Sequence, residues 1–91
     1  MREDQQAGVA GLEKLATELD SADFEPRLVT ARRSQWPSLH VRNRRARALS
    51  ENIYAGPDAF WWGWAERIAP LADVTAAAAA VARVLSDRAD P

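Results

Sequence analysis

The hydrophobic period changes twice along this chain, and that switch limits the possible folds more than any single motif does. Between Ala7 and Leu19 the apolar residues Val9, Leu12, Leu15, Ala16 and Leu19 recur at spacings of three and four, with Glu13, Lys14 and Glu18 between them. This spacing predicts an amphipathic helix. The polar run from Asp20 to Asp23 ends it, because such side chains compete for backbone hydrogen bonds and favour turns. From there to Ile68 the period is two. "EPRLVTAR" and "SLHVRN" form one pair of short strands around "RSQWP", where Pro37 pushes Trp36 toward an extended or turn conformation. "LSENIYA" and "AFWWGWAERI" form a second pair around the turn residues Gly56 and Pro57. The helical period returns after Pro70, with Asp73 as N-cap and Val74, Ala77, Ala78, Val81, Val84 and Leu85 on one face.

Helix, four strands, helix, joined by short connections, predicts an α+β fold: a four-stranded antiparallel meander with both helices on one face of the sheet. A chain of 91 residues accommodates one such domain, expected over residues 7–85, with residues 1–6 and 86–91 as mobile tails. The second face of the sheet is then uncovered. Alternation along the fourth strand sends Phe60, Trp62, Trp64 and Ile68 under the helices, and Trp61, Gly63, Ala65 and Arg67 to the open side. Trp61 should stand beside Tyr54 and His40 of neighbouring strands. Tryptophan, tyrosine and arginine concentrate at the energetic centres of interfaces, so Trp61, Tyr54, His40 and Arg67 are the candidate contact residues for a homodimer or another protein partner.

Charge gives a second candidate. Twelve basic residues against thirteen acidic ones leave no overall attraction to nucleic acid or to an anionic membrane, so any electrostatic function is local. Arg32 and Arg33 close the first strand, and Arg42, Arg44, Arg45 and Arg47 crowd the connection between the second and third. These six arginines are possible phosphate contacts, with Trp36, Tyr54 or Trp61 to stack on bases. The same run also reads as a solvated loop or as a counterpart to the acids of the first helix. No RNP, zinc-finger or helix-turn-helix signature accompanies it.

Catalysis has the least support. The chain lacks cysteine and holds one histidine, which removes disulfides, thiolate sites and paired-histidine zinc sites. Ser38, His40 and Asp58 can be named together as a triad, but no nucleophile-elbow sequence surrounds the serine. Glu51 and Glu66 read as surface charges before they read as an acid/base pair. A small enzyme is therefore the third reading, and no cofactor or metal is expected. A polar, acidic start and the lack of an 18-residue apolar run predict a cytoplasmic protein with no membrane association.

The succession "LEKLATELDSADFEPRLVT", "PSLHVRN", "ALSENIYAG", "FWWGWAERIAP" and "VARVL" resembles that of small single-domain actinobacterial proteins of the streptomycete type, over Leu12 to Leu85. That resemblance implies an intracellular domain with no assigned enzymatic activity, and for some members an accessory role beside regulatory genes. The helix, sheet, helix outline is also similar to the secretion-chaperone class of folds, whose members dimerise and bind other proteins. Together these imply a non-catalytic interaction or regulatory accessory module.

Overall fold

A computed structural model describes residues 3–19, 21–29, 36–46 and 48–85. Its elements run α1 (Glu3–Glu18), β1 (Phe24–Val29), β2 (Ser38–Asn43), β3 (Ser50–Ala55), β4 (Ala59–Trp62), β5 (Arg67–Pro70) and α2 (Val74–Val84). The α+β class and the flanking helices agree with the sequence, but the sheet has five strands, in the order β1-β2-β3-β4-β5, each antiparallel to the next.

The extra strand arises because the stretch expected as one strand, Ala59 to Ile68, is a hairpin. The Trp62 N–H donates to the Glu66 carbonyl at 2.8 Å, and the Ala65 N–H donates to the Trp62 carbonyl at 3.0 Å. A three-residue hairpin loop of this kind puts its last residue in the left-handed region, where glycine is usual. Here it is Ala65, with φ of 68°. A Cβ in that conformation costs roughly 1–2 kcal/mol, part of which glycine returns through its greater unfolded-state freedom. Ala65→Gly is accordingly expected to stabilise the protein by about 0.5–1 kcal/mol, read as a rise of a few degrees in Tm.

The turn also corrects the placement of Trp64. It is 50% exposed instead of lying beneath the helices. Its ring stacks on Trp62 with centroids 4.9 Å apart and planes 7° from parallel, and its Nε1 donates to Glu66 Oε1 at 2.9 Å. Ile68 still packs against the core from the far side of the turn.

One buried cluster joins the layers. Leu12, Leu15 and Leu19 of the α1 region and Ala77, Val81 and Leu85 at α2 meet Phe24, Leu39, Val41, Ile53, Ala55, Phe60, Trp62 and Ala69 from the sheet. α1 starts at Glu3 and takes up residues 3–6 of the expected tail. Its buried stripe includes two glycines that periodicity counts as blanks. A Cβ on Gly8 would lie 3.1 Å from the Ala55 Cβ and 3.3 Å from Pro37, so the glycine lets α1 settle close against β3. Asp73 caps α2 by accepting from the Ala76 N–H at 3.1 Å. Val84, expected on the buried side of α2, is exposed, and Leu85 fills that position. Residues 86–91 lie outside the described residues.

Candidate interaction face

With both helices on one side, strand register decides what the other side presents. Paired residues of adjacent strands share a face, so the open side carries three rows. The first runs Val29, Ser38, Tyr54, Trp61, Arg67 across all five strands. The second is Arg27, His40, Asn52, and the third is Glu25, Arg42, Ser50. Trp61, Tyr54 and Arg67 therefore share one row, and His40 stands diagonally from Tyr54 in the next. The slip that would exchange Trp61 for Trp62 does not occur: Trp61 pairs with Tyr54 and Trp62 with the buried Ile53, the bulge in the β4–β5 pairing leaves this unchanged, and Trp62 is only 5% exposed.

Trp36 joins this face from the segment just before β2. Its ring centroid lies 6.4 Å from that of Trp61, with the planes tilted by 40°. It can lie there because position 56 is glycine: a Cβ on Gly56 would come within 2.8 Å of the Trp36 ring. Trp36, Tyr54, Trp61, Trp62, Gly63 and Ala65 enclose an open groove of about 300 Å³. No charged side chain lines it, and it occupies the β3–β4 end of the face. The β1–β2 end is polar, with an Arg42 to Glu25 ion pair of 2.6 Å.

The arginine-rich connection has internal partners. Arg44 Nε donates to the Ser21 carbonyl at 2.8 Å, the Arg44 N–H donates to the Asp23 carbonyl at 2.8 Å, and Arg45 pairs with Asp23 at 3.3 Å. The counterpart is the turn after α1, not the helix itself. Arg32, Arg33 and Arg47 lie outside the described residues. What reading the run as a charge block missed is Asn43, which is 3% exposed. Its Nδ2 donates to the Leu85 carbonyl at 2.6 Å, and its Oδ1 accepts from the Arg45 and Ala46 N–H groups at 2.8 and 3.0 Å. Asn43 ties the turn to the end of α2. An asparagine beside a basic run signals a turn, but nothing local tells that its other hand reaches a residue 42 positions away.

For the catalytic groupings the geometry supplies no support. Ser38 and His40 are two apart on β2, Asp58 is exposed in the β3–β4 turn, and the three share no hydrogen bond among the described residues. Glu51 stands in register with Val41, whereas Glu66 accepts from Trp64 in the β4–β5 turn. Among the described residues no group of three histidine or acidic side chains is arranged to hold a metal ion, and no helix is long and apolar enough to cross a membrane.

Comparison with known proteins returns no matching family model, no similar curated protein and no similar solved structure.

Proposed function

We propose that this chain is a non-catalytic protein-interaction or regulatory accessory module that receives its partner on the open face of the sheet. One observation carries it: Trp36, Tyr54 and Trp61 gather around a charge-free groove on a sheet whose other face is packed into the core. Apolar surface left in water costs about 25 cal/mol per Å², and a cluster of aromatic rings presented together marks a contact site. The sheet edges are less suited to the task. Pro26 in β1 and Pro70 in β5 each remove a backbone donor from an edge strand, which blunts strand-to-strand pairing.

A homodimer belongs to this proposal as one form of partner, because two copies can meet through the same face. A cytoplasmic location and kinship with small actinobacterial accessory proteins belong to it as well. The nucleic-acid alternative is less favoured, since Arg42, Arg44 and Arg45 are held by Glu25, Ser21 and Asp23.

Trp61→Ala separates contact from folding. The cross-strand pairing of Trp61 with Tyr54 is worth roughly 0.2–1 kcal/mol, so denaturant melts should change by no more than that. Association, measured by sedimentation for self-pairing and by titration for any other partner, should weaken by about tenfold or more. An unfolded variant, or one that associates as before, would overturn the proposal.

A further inference from the structure

On the footing that the open face binds protein, its charges say what kind of segment it takes. We propose that the occupant is an extended acidic segment with one aromatic side chain, laid across the strands with that ring in the groove and a carboxylate near each edge of the sheet.

The rows of the open face are unevenly charged. Arg27, Arg42 and Arg67 stand there against Glu25 alone. Glu25 is held by Arg42 at 2.6 Å, and among the described residues the side chains of Arg27 and Arg67 have neither an ion pair nor a hydrogen-bond partner. Both are exposed. The helix on the other side has the opposite bias, since α1 carries Glu3, Asp4, Glu13 and Glu18 against Lys14. A chain with a net charge of only -1 thus has a positive sheet face and an acidic helix behind it. That polarity steers an acidic segment to the sheet and turns a cationic one away. A second copy would bring the same two surplus cations to the same face, so facing sheets repel where an acidic segment is attracted.

Register sets the spacing. Arg27 is on β1 and Arg67 on β5, the two edges of the sheet. Four strand spacings of ~4.8 Å put them about 19 Å apart, which an extended segment at ~3.3 Å per residue covers in about six residues. The groove lies over β3 and β4, nearer Arg67, so the ligand's ring belongs about two residues from one acid and about four from the other. At about 300 Å³ the groove is at the small end of ligand cavities, and with no charged residue in its lining it admits a large apolar side chain and no carboxylate. The same arrangement disfavours nucleic acid. Every nucleotide carries a phosphate, so a strand laid from edge to edge would hold charges over the groove with no cation to meet them. A peptide can confine its charges to the two ends.

The test is a titration of the full isotope-labelled chain with a short serine-rich peptide that has a glutamate, a phenylalanine two residues on and a second glutamate four residues further. The indole N–H signals of Trp36 and Trp61 should move saturably, with an affinity that falls severalfold from low to physiological salt. The same peptide with lysine for both glutamates, or with serine for phenylalanine, should leave them still. Arg27 and Arg67 are exposed and unpartnered, so reversing both, Arg27→Glu with Arg67→Glu, should leave the fold intact. That variant should bind the glutamate peptide about tenfold more weakly and take up the lysine peptide instead, a gain that unfolding cannot mimic. Still signals with the glutamate peptide, an equal response to the lysine peptide, or a reversed chain that keeps its preference for glutamate would overturn the inference. If no peptide moves the signals while Trp61→Ala still loses association, the inference falls and the protein-interaction proposal stands. Oligothymidine binding in place of the peptide would end both.

Discussion

Trp62→Ala is expected to cost about 3–5 kcal/mol, the range for emptying a large aromatic site in a packed core. Trp62 is 5% exposed, belongs to the central cluster with Ile53 and Phe60, and supports the ring of Trp64. A domain of this size has only ~5–15 kcal/mol of stability in total, so the variant should melt at much lower denaturant or fail to accumulate as folded protein. Trp64→Ala is the control. Half exposed and placed on the turn, it forms one stacked pair and one surface hydrogen bond, and should cost about 1 kcal/mol. Three neighbouring tryptophans thus give three distinct outcomes: collapse at Trp62, a small loss at Trp64, and lost association with a sound fold at Trp61.

The second large effect belongs to Asn43. Replacing it with alanine leaves the buried Leu85 carbonyl and the Arg45 and Ala46 N–H groups without their partner. An unsatisfied buried group costs about 1–3 kcal/mol, and the two turn donors are close enough to water to recover part of theirs, so Asn43→Ala should lose about 2–3 kcal/mol. Asn43→Asp isolates the long-range half of the link. Its carboxylate still accepts from the turn but sets a negative oxygen against the Leu85 carbonyl where a donor stood at 2.6 Å. That variant should be less stable than alanine, with hydrogen exchange fastest at the end of α2. Equal stability of the two would mean that the turn bonds, not the tie to α2, account for the residue's burial.

How much of this was legible depends on where local chemistry and long-range packing speak alike. The order of helices and strands was readable because Pro37, Gly56, Pro57, Pro70 and Asp73 punctuate it, and the outward direction of Trp61 followed from alternation. The fifth strand was hidden because its turn uses Ala65 at the left-handed position where glycine would have announced a break, and alternation continued unbroken across it. The same error carried Trp64 into the core. Gly8 and Gly11 escaped the apolar count of α1, although close approach to Ala55 and Phe60 makes them part of its contact face. Trp36 could be named as an aromatic, but its seat over Gly56 depends on two segments twenty residues apart in sequence that only the fold brings together.

On this proposal the outward aromatic face is the surface on which the protein meets another. The direct measurement is a capture experiment with tagged full chain from nuclease-treated lysate, run side by side for wild type, Trp61→Ala and Trp64→Ala. The account predicts a protein retained in stoichiometric amount by wild type and Trp64→Ala and lost with Trp61→Ala, while all three baits show folded circular dichroism spectra. Retention by folded Trp61→Ala equal to that of wild type, or binding that disappears with the nucleic acid, would contradict it.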